Sequence, residues 1–352
     1  MADSFFATLD QKIHRKVRSR VSGTYSMTAI MGMEHLISEV MSQNITKLRK
    51  ISRQGPIRMD EWVNYFTFDV VGQLSMGGPI GFLDQGRDVD GIIRSIHDGF
   101  YLMANLGYVP LQTFWLNNPV SRYLIRNFGG KRLNTFETFV GWLDERVTKR
   151  MEEGPGAAHD DMLQYFIDGK MPDGQPVGKA EVMIEGINIL GAGADTTAVA
   201  ILAVLGALLT HKGAFTRLRK DIDAAYEDSH LGTDADGELS FRDAEKIAYL
   251  AAVIRESMRL HPSITYQLPR VPPPEGLKIG DYYIPQSVTA GISAATMNRD
   301  TAIFGSDAAE WNPERWMPTK EGDEDELKRL RVMEQNLTTV STVRAIASDS
   351  LL

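Results

Sequence analysis

The chain has 352 residues, 43% of them apolar, enough for a sizeable core and for a globular protein. Its net charge of −8, with acidic and basic residues mixed along most of the chain, does not recommend nucleic acid, and no nucleic-acid partner is expected. Cysteine is absent, which excludes disulfides, thiolate zinc sites, iron–sulfur clusters and cysteine nucleophiles.

No uncharged run of about 20 residues opens the chain, so neither a signal peptide nor an N-terminal anchor is expected there. The Lys- and Arg-rich start imitates a mitochondrial presequence, but Asp3 and Asp10 oppose that reading. Val63, Phe66, Val70 and Leu74 recur at the spacing of one helix face. Leu133, Phe136, Val140, Leu143, Val147 and Met151 do the same. Glycine-rich turns, "GGPIGFLDQG" and the linker-like "EEGPGAAHDD", separate such helices.

A single helix is predicted from Ala180 to about His211, roughly 45 Å long at 1.5 Å per residue. It is apolar nearly all round and is expected to be buried on every side, with Glu181 and Glu185 suiting its positive N-terminal end. A transmembrane reading is set aside, because Asp195 at the centre would cost about 3 kcal/mol in lipid and no second span accompanies it. A second helix is predicted from about Asp243 to His261, stopped by Pro262. Beyond it, "LPRVPPPEGLKIGDYYIPQSVTAG" has the pattern of short strands and turns, and the acidic "EGDEDELKRLR" reads as a solvated helix or loop. The fold expected is mainly α, a large helical body followed by a small β-rich section.

"GAGADTT" at 191–197 breaks the most apolar stretch. A Rossmann fingerprint would need a third glycine where Thr196 stands, and a P-loop would need a lysine. Within a helix, Gly191 and Gly193 make room for a flat or bulky ligand close to the backbone. The Thr196 hydroxyl can bond the carbonyl of Ala192 and loosen the helix, and Asp195 can relay protons if it finds a partner or water. A packed glycine kink with a capped Asp accounts for the same residues. "RESMRLHP" sets Glu256 and Arg259 three apart on one helix face, a spacing that surface pairs also show, and "NPERW" offers Arg315 as a second guanidinium.

In this order and at these distances, "AGADTT", "ESMR" followed by "LHP", and "PERW" closely resemble the cytochrome P450 family of haem-thiolate monooxygenases. "HRKVRSRVSGTYS" is similar to the family's W-x-x-x-R helix, with His14 in place of the tryptophan and Arg18 as the arginine, and "LPRV" supplies Arg270. The likeness runs from about residue 5 to about 339, with a flavour similar to fungal pisatin-demethylase-like enzymes.

The resemblance implies a haem cofactor, an NADPH-dependent cytochrome P450 reductase as partner and an apolar small-molecule substrate that receives one oxygen atom of O2, in fungal secondary metabolism or detoxification. It implies Asp195 and Thr196 as the oxygen-activating pair and Ala192 and Gly193 as residues lying against the haem. His14, Arg18 and Arg270 would bind propionates, although Arg18 also fits a surface charge and Arg270 a turn residue. Glu256, Arg259 and Arg315 would form a buried ion triad. Family members are expected at the endoplasmic reticulum membrane through an N-terminal anchor; these residues alone read as soluble.

Where the family carries its iron-ligating cysteine loop, this chain has "NLTTVSTVRAIASDSLL". Residues 1–352 are therefore expected to be a single, incomplete P450-type domain, with 340–352 as a tail outside the family pattern and no residue to act as metal ligand. Val-Ser at the junction is what a read-through splice donor would encode. The resemblance puts His14 near the propionates and His261 just after the ion-pair helix, which implies no route for either to the proximal iron face. The chain as given is expected to be inactive; the alternative is a non-catalytic truncated or pseudogene product of a mis-spliced gene. "DGFYLMANLGYVPLQTFW" at 98–115 reads as an apolar lid or as ordinary core.

Overall fold

Several helices begin where the sequence supplies a capping oxygen. Asp10 accepts from the backbone amides of Lys12 and Ile13 at the start of helix Gln11–Val21. Asp161 caps Met162–Asp168 and Asp323 caps Glu324–Asn336 in the same way. The structure, a computed structural model, describes residues 3–338 except 9, 108, 110, 112, 113, 115–117, 129–135, 172, 228–238, 268, 320 and 321. Leu133 and the tail at 340–352 lie outside the described residues, as does part of the stretch 98–115.

The chain packs as two units, Met1–Asp195 and Thr196–Leu352. The first is helical, built on Gln11–Val21, Glu34–Ile51, Met59–Met76, Ile92–Leu106, Phe136–Glu153 and the leading part of Lys179–Thr210. In helix Met59–Met76, Val63 and Phe66 are buried as their spacing predicts, Val70 and Leu74 are half-buried, and Phe68, Asp69 and Ser75 are fully enclosed. That helix is surrounded rather than one-faced. Asp69 explains part of this: its carboxylate accepts from the backbone amides of Gly81, Phe82 and Leu83 and so folds the glycine-rich turn back onto the helix. Burial pushes its pKa up, while those donors act against the rise. At the helix end Gly77 is in the left-handed region (φ 72°), and a Cβ there would stand 2.6 Å from an Asp161 carboxylate oxygen. The same carboxylate is gripped by Arg150, at 3.0 and 2.8 Å.

In Phe136–Glu153 the enclosed stripe is Phe139, Leu143 and Val147, four residues apart, with Phe136, Val140 and Met151 half-buried beside it.

Helix Lys179–Thr210 matches the predicted length and is, among the described residues, the one helix long and apolar enough by length and composition to cross a membrane. It is not buried on every side. Val182, Gly186, Leu190, Ala194 and Ala198 form a buried i, i+4 stripe, whereas Ala192, Thr197, Val199, Gly206 and Leu209 are exposed. Much of its apolar character comes from Ala and Gly, which carry little surface, so leaving them uncovered costs little. Glu185, placed by the sequence at the positive N-terminal end of this helix, is a buried group, 1% exposed.

The second unit holds the rest of that helix with Lys212–Glu227, Ala248–Leu260, Glu324–Asn336 and a core that includes Leu208, Leu218, Tyr249, Val253, Phe304 and Met333. The helix predicted from Asp243 to His261 is broken. A short helix Phe241–Ala244 ends in tight turns, with Lys246 N–H donating to the Asp243 carbonyl and Ile247 N–H to that of Ala244, before Ala248–Leu260 begins. Ser240 side-chain capping fixes the first piece and leaves Ile247 non-helical. The stop at Pro262 holds, with His261 already extended at φ −126°, ψ 67°. The β-rich section is small: β1 Leu277–Ile279 pairs antiparallel with β2 Tyr282–Ile284, and Arg270 bridges Ala290 through backbone bonds.

Candidate functional site

The second unit is centred on Glu256, and local folding explains its company. The last turns of Ala248–Leu260 put Glu256 and Arg259 on one face, and the Pro-marked 3₁₀ turn Pro313–Trp316 lies against them. Oε1 of Glu256 accepts from Arg259 Nη2 at 2.7 Å, the Asn312 backbone N–H at 2.8 Å and Arg315 Nε at 3.4 Å. Oε2 accepts from Arg259 Nε and Trp316 Nε1, each at 2.8 Å. Glu256 and Arg259 are 0% exposed, and Arg315 is 7% exposed. Arg259 further donates to the carbonyls of Asn298, Ala308 and Glu310, and Arg315 to those of Phe304 and Asp307. Asp307 completes the set by pairing with Arg315 at 2.6 Å, which holds its carboxyl down at about 2. Every lone pair that a buried carboxylate must fill is filled.

Asp195 closes the first unit. Its Oδ1 lies 2.9 Å from Nε2 of His97, 98 residues earlier on helix Ile92–Leu106. That hydrogen bond raises the pKa of His97, with burial opposing it. Both side chains keep access to water, at 44% and 35% exposure. One turn away, Gly191 is buried against Phe100, where a Cβ would sit 3.6 Å from the ring; at Gly193 the neighbour is Val71 at 3.7 Å. These are ordinary contact distances, so neighbouring helices do not themselves demand glycine here. Ala192 is exposed on the same turn.

Thr196 follows Asp195 on the helix and opens the second unit, where its backbone carbonyl accepts from Ser263 Oγ at 2.7 Å. The "HP" segment after Leu260 is thereby fastened to the turn bearing the threonine. Along the following turns an apolar groove of about 500 Å³ is lined by Val199, Leu202, Ala203 and Gly206, with Leu260 and Trp311 opposite.

The cationic candidates are placed differently. On helix Gln11–Val21, His14 is half-buried and Arg18 exposed. It is Arg20, not singled out by the sequence reading, that turns inward and pairs with Glu185 at 3.3 Å. Asn188 also donates to Glu185 and accepts from Ser4. Burial pushes the Glu185 carboxyl up against these partners. Arg270, in the second unit, is exposed and its guanidinium donates to the carbonyl of Pro269.

An iron–thiolate group needs a cysteine, and the chain has none. Among the described residues no three His, Asp or Glu side chains converge as a metal site. His159 is paired with Glu153 at 2.6 Å, and His211 lies against the Ala207 carbonyl and the Trp311 ring. Among the described residues the donor set does not fit an iron ligand.

Sequence reasoning missed His97, Arg20, Asn312 and Trp316. Trp316 lies inside the quoted "PERW" and could have been found by asking what satisfies a buried carboxylate. His97 has no local signal, since its partner is remote in sequence.

Comparison with known proteins bears on these features. The family model described as Cytochrome P450 matches residues 3–333. A cytochrome P450 monooxygenase of Aspergillus terreus is 29% identical over 339 residues, covering 95% of this chain and 66% of that protein. The cytochrome P450 monooxygenase mpaDE of Penicillium brevicompactum is 29% identical over 327 residues, 92% of this chain and 38% of its own. Among solved structures, the retinoic acid bound cyanobacterial CYP120A1 aligns with a TM-score of 0.66 at 17% identity, over 87% of this chain and 62% of that one, a likeness of fold. The chain thus spans about two thirds or less of the length of these relatives.

Proposed function

The chain belongs to the cytochrome P450 family, and from that premise we propose that it is the helical body of a haem-dependent monooxygenase acting on an apolar small molecule. Haem, which the family implies but for which this chain has no cysteine ligand, would supply the activation of O2, and an NADPH-dependent cytochrome P450 reductase the electrons. Fungal secondary metabolism or detoxification is the setting of this reading, the relatives named above being fungal proteins. Attachment to the endoplasmic reticulum membrane belongs to the same reading.

Thr196 is read as the hydroxyl, and Asp195 as the carboxylate, that would hold and pass protons. Ala192 and Gly193 leave the flank of the helix low enough for a flat macrocycle. His14, Arg18 and Arg270 are the candidate propionate partners, and Glu256 with Arg259 and Arg315 is structural. Both packing units are read as parts of one family domain, because the family match crosses residue 195 without a break. The observation that carries this reading is the Glu256 network, in which two separately quoted motifs, one with Glu256 and Arg259 and the other with Arg315, meet in one buried, saturated site.

The absence of cysteine favours a second statement: these residues by themselves are inactive, as a non-catalytic product of the gene would be. The experiment is to express the chain with haem supplied and record the carbon-monoxide difference spectrum of the reduced protein. No thiolate-type Soret band is expected, and its appearance would overturn the statement of inactivity. Fusion to a relative's cysteine loop is expected to bring the band in; a fused chain that folds without binding haem would overturn the haem reading.

A further inference from the structure

Helix Ile92–Leu106 meets helix Lys179–Thr210 through two pairs on matching faces, His97 with Asp195 and Phe100 with Gly191. Three residues separate the first members and four the second, so each pair lies about one helical turn from the other. The apolar pair fixes how closely the helices approach at that turn. The polar pair is then the part free to change, because both its members reach water while their backbones are held.

We propose that His97 is a positioning residue for Asp195: the charged imidazole holds the carboxylate against helix Ile92–Leu106, and loss of its proton loosens that hold and lets the carboxylate turn. A charge-assisted bond between imidazolium and carboxylate is roughly twice as strong as a neutral one, so the same contact survives deprotonation only in weakened form. The proton goes to solvent, which both side chains touch. Around His97 the charged groups are Asp195 on the facing helix, Asp98 beside it, Asp88 in the turn before the helix, and Arg94, which lies 3.7 Å from Asp98. The three carboxylates favour the charged imidazole, consistent with its raised pKa. The consequence for proton delivery rests on the monooxygenase reading, since Asp195 is its proposed proton carrier; the latch itself does not.

The test uses the full chain without added haem. The imidazole resonances of His97 are followed by NMR from about pH 5 to about pH 8, the range in which histidine titrates. The wild type is compared with Asp195→Asn, which keeps the shape and removes the charge. Amide hydrogen exchange at 92–106 and 191–197 is measured over the same range and corrected for intrinsic pH dependence. The midpoint for His97 is expected to fall in Asp195→Asn, and wild-type exchange to quicken as pH passes the His97 midpoint. His97→Gln, which keeps a neutral donor, is expected to lose that pH dependence while retaining its fold. An unchanged midpoint in Asp195→Asn overturns the proposal, as does a wild-type exchange profile in His97→Gln. If the latch titrates as expected but the fused, cysteine-bearing chain takes up no haem, the role in proton delivery is overturned and the latch stands.

Discussion

Glu256 and Asp195 are both helical carboxylates facing a cationic partner, yet they occupy opposite physical regimes. Glu256 is wholly enclosed and accepts from Arg259, Arg315, Asn312 and Trp316, donors brought from two separate elements. Asp195 is about one third exposed, and the partner found for it is His97. A buried charge with every acceptor position filled has no alternative arrangement within reach of solvent, so it fixes structure. A carboxylate at the water's edge, held by an imidazole that also reaches water, can change its state without unfolding anything. Architecture and adjustable chemistry are thus kept in different places.

The contrast can be broken first at Glu256. Glu256→Gln leaves buried Arg259 without its anion and Arg315 with Asp307 alone, and is expected to cost about 3 to 5 kcal/mol, read by denaturant unfolding. A loss below about 1 kcal/mol, the level of an exposed pair, would mean the network is not the rigid element described. Trp316→Phe keeps the ring packing and removes one donor to a charged acceptor, for an expected loss of about 1.5 to 3 kcal/mol in the same assay.

Acid sharpens the comparison further. Arg315 holds the Asp307 carboxyl at about 2, below its ordinary 3.8, so its contribution is present above the ordinary value and disappears as pH falls through about 2. Asp307→Asn is therefore expected to differ from the wild type at neutral pH and converge with it near pH 2, with a modest gap because Asp307 is 44% exposed. His97 carries the opposite sign: its pKa is raised above the ordinary 6.5, so its contribution is present below that value and lost as pH rises through the folded-state midpoint. Last comes Asp195→Asn, for which a stability change within about 0.5 kcal/mol is expected by thermal unfolding. A change of several kcal/mol there would place Asp195 in the same class as Glu256.

Legibility in the sequence tracked distance along the chain. Arg259 is three residues from Glu256 and was readable at once, and Arg315 followed from a second quoted motif. The Asn312 backbone donor and Trp316 lie in that motif too, but only burial shows that Glu256 needs them. Arg20 was passed over for Arg18, because nothing local says which side of helix Gln11–Val21 faces Glu185, 165 residues later. The break at Ile247 was missed because apolar spacing continues across it while the capping by Ser240 ends the first piece.

By itself the sequence determined the helical character of the chain, the stop before Pro262 and the absence of any thiolate, since each depends on residues a few positions apart or on composition alone. Only the tertiary structure decided which stripe of Lys179–Thr210 is covered, that Glu185 is buried, and which partner each interior charge takes. Those outcomes depend on neighbours that close in space from far along the chain, where burial rather than local preference sets what an unpaired charge costs.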